Sequence, residues 1–304
     1  IGRALTDTDA GVRRVAVLCF PVCLAILTAT LVMGSEIKGA TRWISIAGVS
    51  IQPSEFIKPC FAVLAAWLFA AGRLQDGVPG ALLALGLYAI TALCLLLQPD
   101  VGQTVILTAI FGVQFFLAGL PLLWVGGLLT AGAGLLVATY FLFPHVAARI
   151  DTFLDPAAGD TYQVQRALEA FHNGGLFGRG PGEGTVKDFL PDSHSDFIFA
   201  VAGEEFGIVV CLLLVAIFAF VVLRGFAKLL GETNLFILLA ATGLLTQVGL
   251  QAFVNMASAL HLIPTKGMTL PFISYGGSSY VALAFGMGMV LALTRRRPAS
   301  GESY

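Results

Sequence analysis

Runs of about twenty apolar residues recur along this chain, and nothing constrains its folding more, because a helix needs roughly that many to cross a hydrocarbon core about 30 Å thick. Such runs lie at 15–33, 56–71, 80–97, 101–120, 121–144, 197–223, 234–260 and 277–294, which predicts eight membrane helices, the second having the shortest uncharged core. The fold class expected is therefore all-α: a polytopic bundle forming a single membrane domain over 1–304, with one large loop at 145–195. Composition agrees. The 304 residues are 57% hydrophobic and 12% charged, about half the charged share of a soluble domain. The 35 glycines suit close helix approach in lipid. A net charge of −1 leaves no field of one sign to hold nucleic acid, which excludes that class of partner. Five cysteines (Cys19, Cys23, Cys60, Cys94 and Cys211), odd in number and lying inside apolar runs, read as buried small hydrophobes rather than disulfide or zinc ligands.

Orientation follows from basic residues at span ends. Arg3, Arg13, Arg14, Arg73, Arg224, Lys228, Arg295, Arg296 and Arg297 fall on one side when eight spans are threaded, which assigns that side to the cytoplasm and the long loop to the exterior. The chain opens at Ile1 with residues that already read as a loop entering a membrane helix, so upstream spans are expected to be missing. Within the long loop, 161–171 has helical apolar spacing and could lie along a membrane surface. The glycine-rich GGLFGRGPGEG that follows has no preceding strand and reads as a surface turn, not a dinucleotide fingerprint.

Ionisable residues beside or inside spans are costly unless they face a partner or a watery cavity. Here they are Lys38 and Arg42; Gln52, Glu55 and Lys58; Asp100; His194 and Asp196; Glu204 and Glu205; and Lys266. All but the Glu pair thread to the exterior side, so polar groups from five loops should converge on one cavity. Glu55 and Lys58, three apart, could form an ion pair that neutralises itself. Asp100 could cap the helix that begins at Val101. One of Glu204 and Glu205 could serve as packing glue while the other faces the cavity. Lys266, between Pro264 and Gly267 on broken backbone, reads as functional, and His194 as an orienting group. Asp196, at the mouth of a span, is the strongest candidate for a carboxylate made more basic by partial desolvation, with helix capping as the alternative.

These residues also carry a resemblance. QPSE at 52–55, QPDVG at 98–102, FLDP at 153–156, YQ at 162–163, GGLFGRGPGEG at 174–184, HSDFIFAVAGEEFG at 194–207, PTKGMTLP at 264–271 and SYGGSS at 274–279 resemble the signature of the SEDS family, which comprises FtsW, RodA and SpoVE. PTKGMTLP and FLDP are closer to its division branch, FtsW, than to its elongation branch, RodA. Departures are small: His194-Ser195-Asp196 where the family often has His-Thr-Asp, and Asp192-Ser193 where it has Glu-Ala. Family members usually have ten spans, so two would be missing here.

The resemblance implies a peptidoglycan glycosyltransferase that polymerises lipid II in the bacterial inner membrane, at the division septum, with its site on the extracytoplasmic side. It implies a class B penicillin-binding transpeptidase and other division proteins as partners, with membrane lipid around them. The family's essential aspartate falls on Asp196, which suits a general base taking the acceptor hydroxyl's proton during one inverting displacement. Expected substrate-binding residues are Lys38, Arg42, Gln52, Glu55, Lys58, Asp100, His194, Lys266 and Ser278. No metal ligand is assigned, although a divalent cation, Mg or Mn, could accompany the pyrophosphate. The alternatives are a lipid II flippase or transporter, a RodA-like elongation polymerase, and a scaffold that only positions division proteins. Charges gathered at one face favour a one-sided enzyme over a flippase.

Overall fold

A computed structural model describes residues 7–37, 40–46, 49–74, 78–119, 122–155 and 161–295. The helices are α1 (Asp7–Met33), α2 (Pro53–Leu74), α3 (Gly80–Leu97), α4 (Val101–Leu117), α5 (Leu122–Leu142), α6 (Pro144–Leu154), α7 (Tyr162–Gly174), α8 (Ile198–Leu229), α9 (Leu235–Ala259) and α10 (Gly277–Thr294). All eight predicted spans are helices, and the bounds of α3 and α10 agree to the residue. Six of them are long and apolar enough to cross a membrane; α4 is a shorter apolar helix, and α5 with α6 forms a pair bent by 98°. The all-α expectation holds, with one addition. Three antiparallel strands, β1 (Ser35–Ile37), β2 (Ala40–Ile46) and β3 (Val49–Ile51), connect α1 to α2 in the order β1-β2-β3. These strands are too short to register against the apolar runs on either side, and TRWISI has the β-branched and aromatic content that pairs well.

α2 and α9 form the centre of the bundle, with 72% of each apolar window buried, whereas α8 is 11% buried and presents its apolar side chains outward. Lipid is the environment that such a surface requires. Gln114 on α4 ties the centre together: its Nε2 donates to the carbonyls of Ala62 on α2 (2.7 Å) and Leu239 on α9 (3.1 Å). Phe61, Phe69, Phe111 and Phe115 pack between α2 and α4 in tilted and edge-on contacts. Helix ends are set locally. Asn234 Oδ1 accepts from Phe236 N–H at 3.0 Å to start α9, and Pro144 opens α6 at a position where its missing N–H costs nothing. Cys60, Cys94 and Cys211 are buried, Cys19 and Cys23 partly so, and all five are free thiols.

α8 differs from the predicted uninterrupted span. Gly207 breaks it with φ of +77° and ψ of 179°, a backbone conformation essentially confined to glycine. The glycine-rich segment lies against the break. Arg179 and Gly180 N–H donate to the carbonyls of Glu204 (3.0 Å) and Glu205 (2.9 Å), and Ile208 and Val209 N–H donate to those of Gly175 (2.9 Å) and Leu176 (3.3 Å). More than a surface turn, the segment supplies the hydrogen bonds that the broken helix lacks. α7 forms as predicted, and it packs against α8 through the buried Ala167, Ala170 and Gly174.

Candidate active site

Chain alternation places the start of α2, α4, α8 and α10 at one end of the bundle, together with the strands, α6 and the 260–276 loop. At that end a cleft with about 340 Å³ of open space is lined by Arg42, Asp100, Arg149, Lys266 and Gly267. Each arrives from a different element: Arg42 from β2, Asp100 from the start of α4, Arg149 from α6, and Lys266 from the loop after α9. Arg42 donates to the carbonyl of Pro99 at 2.9 Å, and its other terminal nitrogen lies 3.7 Å from Asp100 Oδ1. Arg149 donates to the carbonyl of Thr265 at 3.1 Å, beside Lys266. Arg42, Arg149 and Lys266 thus sit together, three cations with Asp100 as the one carboxylate among the described residues lining the cleft.

Asp100 caps α4, as its position in the sequence suggests, and also lines the cleft. Its Oδ1 caps α4 by accepting from Gln103 N–H at 3.4 Å, while Oδ2 is buried without a partner. Burial pushes its carboxyl above the usual range, and Arg42 opposes that rise. Burial likewise pushes the Lys266 ammonium down to about 8, with Arg149 and Arg42 adding repulsion. Asp196 stands behind Gly267, where a Cβ would come within 3.0 Å of Asp196 Oδ2, and it interacts electrostatically with Arg149.

The other predicted residues occupy different places. Lys38 lies outside the described residues, as do Arg3, Arg296 and Arg297 of the orientation argument. Glu55 and Lys58 do not line the cleft: they are buried as an ion pair of 2.9 Å, with Gln103 and Gln251 completing the group. Lys58 lacks exposed surface with which to meet an anion. Gln52 N–H donates to Ser278 Oγ at 3.1 Å, joining the ends of α2 and α10. His194 is exposed and lines a separate, wider cavity of about 840 Å³ with Lys187, Ser193 and Glu205. Glu204 is the packing glue of its pair. Its carboxylate is fully buried and accepts from the N–H groups of Thr185, Val186 and Lys187 at 2.9–3.1 Å, capping the short 3-10 helix Val186–Phe189. Glu205 pairs with Lys187 instead, and that pairing raises the Lys187 ammonium above its ordinary value.

Arg149 is the site residue that sequence reasoning passed over. The available signal was its position in PHVAARIDTFL, a helix-starting proline followed by an arginine directly after an apolar run.

With this geometry in place, similarity to other proteins becomes informative. A family profile described as "Cell cycle protein", covering FtsW, RodA and SpoVE, matches residues 7–298. The chain belongs to this family. Among FtsW/RodA/SpoVE proteins, it is 51% identical over 298 residues to a probable peptidoglycan glycosyltransferase FtsW of Caulobacter vibrioides, covering 96% of this chain and 76% of that one. It is 36% identical to the protein of the same name from Francisella salina, covering 90% and 70%. Of solved structures, a peptidoglycan synthase complex described as coordinating polymerization and crosslinking contains a chain that matches at 30% identity and a TM-score of 0.76, covering 96% and 83%. The rod shape determining protein RodA of Thermus thermophilus matches at 29% and 0.67, covering 93% and 79%. The chain is therefore a multi-pass membrane protein of this family, with its fold.

Proposed function

We propose that the chain is a peptidoglycan glycosyltransferase that polymerises lipid II during septal wall synthesis, in the inner membrane, with its site on the extracytoplasmic side. The observation that carries this reading is the clustering of Arg42, Arg149 and Lys266 in one cleft with Asp196 beside Gly267. The higher identity to proteins named FtsW supports the division role.

The acceptor sugar's 4-hydroxyl attacks the anomeric carbon of the donor and loses its proton to Asp196 Oδ2. The C–O bond to the undecaprenyl pyrophosphate breaks on the opposite face, so configuration inverts and no covalent enzyme intermediate forms. The departing pyrophosphate gains negative charge, which Arg42, Arg149 and Lys266 are arranged to meet in a partly dehydrated setting. Lys266 serves this role when protonated. Lys58 takes no part in it, being neutralised by Glu55.

Among the described residues, no group of three or more His, Cys, Asp or Glu could hold a metal. Asp100, with its partnerless buried Oδ2, fits a divalent cation shared with phosphate oxygens better than a protein-only cage. Such a cation would stabilise the charge on the leaving group. The activating partner is a class B penicillin-binding transpeptidase, a reading supported by the likeness to a chain of a peptidoglycan synthase complex.

The test is polymerisation of labelled lipid II by the full-length protein with its transpeptidase, native against Asp196→Ala, with and without divalent metal. A glycan ladder that is lost in the variant supports the reading. A ladder that persists in the variant removes Asp196 as base. No ladder from the native pair, with lipid II crossing a vesicle bilayer, makes the chain a flippase.

A further inference from the structure

Three consecutive carbonyls lead into α8, and each accepts a hydrogen bond from a different donor. Tyr275 N–H donates to His194 O at 2.8 Å, Ser274 Oγ to Ser195 O at 2.5 Å, and Asn255 Nδ2 to Asp196 O at 2.9 Å. Asn255 does more than the other two. It lies in the last turns of α9, wholly buried, and the same Nδ2 donates to Met268 O at 2.6 Å. Two carbonyl acceptors fix the orientation of the amide, because its oxygen could accept nothing from either.

One side chain on the central helix therefore grips two segments distant in sequence. One carries Asp196, and the other carries Lys266 and Gly267 two and one residues before Met268. Between them, Met268 N–H folds back to Lys266 O at 2.8 Å, and Gly267 leaves only enough room for the Asp196 carboxylate. The grip is anchored below. Gln251, one turn earlier on α9, donates to Thr269 Oγ1 and Ser279 Oγ at 3.1 and 3.0 Å, and accepts from the buried Lys58 at 3.4 Å.

We propose that Asn255 is a positioning residue that sets the register between the Asp196 carboxylate and the Lys266 loop. The proposal rests on the reading of Asp196 as the base. Asn255 does not line the cleft; it holds the backbone of Asp196 and that of the loop carrying Lys266. Loss of its two hydrogen bonds lets the 194–196 and 266–268 segments drift independently. A misplacement of about 1 Å at reacting groups costs roughly a hundredfold in rate. The loss falls on kcat, because the groups that bind pyrophosphate stay charged and present.

The experiment compares full-length native protein, Asn255→Ala and Gly267→Ala, each with its transpeptidase, in steady-state polymerisation of labelled lipid II, with unfolding temperature measured alongside. Asn255→Ala is expected to lose about a hundredfold in kcat with KM near native. Gly267→Ala leaves both Asn255 bonds intact and pushes a methyl group against Asp196 Oδ2 from the other side, so it is expected to lower kcat in the same way. Native kcat in Asn255→Ala, or a raised KM with kcat unchanged, overturns the proposal. Should Asn255→Ala fail to fold, the near-isosteric Asn255→Leu, which keeps the volume but lacks both donors, takes its place, and native kcat in that variant overturns the proposal. Absence of polymer from the native pair refutes the activity reading instead, so the two failures are distinct.

Discussion

Lys58 Nζ lies 2.9 Å from Oε2 of Glu55, one turn earlier on α2, and both side chains are buried against α4 and α9. Gln103 completes the pair, accepting from Lys58 at 2.5 Å and donating to Glu55 at 2.6 Å. Removing one partner leaves an uncompensated buried charge, which costs about 3–5 kcal/mol, whereas replacing both can be nearly neutral. Lys58→Met is expected to lower the unfolding temperature sharply in detergent, and Glu55→Gln with Lys58→Met to recover most of the loss. Equal stability of the single variant and the native protein would contradict the buried pair.

Lys266 gives the site a pH dependence. Its ammonium titrates near 8 instead of near 10.5, so its charge is present below that pH and lost as pH rises through it. Affinity for a pyrophosphate-bearing substrate should therefore fall above pH 8. Lys266→Arg, which stays charged throughout, should remove that limb from the pH profile of kcat/KM.

Arg149→Ala should weaken substrate binding and slow departure of the pyrophosphate, lowering kcat/KM by roughly tenfold to a hundredfold at about 1.4 kcal/mol per decade. The fold should tolerate the change, because the hydrogen bond from Arg149 to the Thr265 carbonyl lies on the cleft wall. Kinetics on lipid II with a parallel melting curve would check both parts.

Glu204 and Glu205 are neighbours with unequal roles. Glu204→Gln keeps one acceptor oxygen for three backbone N–H groups and should destabilise by about 1–3 kcal/mol. Glu205→Gln loses a partly exposed ion pair and should cost about 1 kcal/mol or less. Thermal unfolding of the two variants side by side reads the difference.

Gly207→Ala forces a Cβ to within 2.4 Å of Leu176 O at a φ of +77°. The variant should expose the α8 break, measurable as faster hydrogen exchange at 175–180 and 204–209, and lower stability by more than about 1 kcal/mol.

Much of this protein was legible in its sequence. Span length is dictated by bilayer thickness, so eight apolar runs yielded eight helices, and the one-sided gathering of Arg42, Asp100, Asp196 and Lys266 followed from counting crossings. The alternation of ends also put Arg73 opposite the cleft, where it donates to the carbonyls of Ala118 and Gly119. Tertiary structure alone decided which of the gathered charges stay available. Lys58 and Lys266 look equivalent along the chain, yet Lys58 finds Glu55, Gln103 and Gln251 across three helices while Lys266 meets other cations. Arg149 enters the cleft because α6 turns 98° away from α5, and Asn255 matters because α9 passes between two loops. Span formation is a local property, set by the hydrophobic content of twenty consecutive residues. The fate of a charge depends on groups from distant segments, and packing alone brings those together.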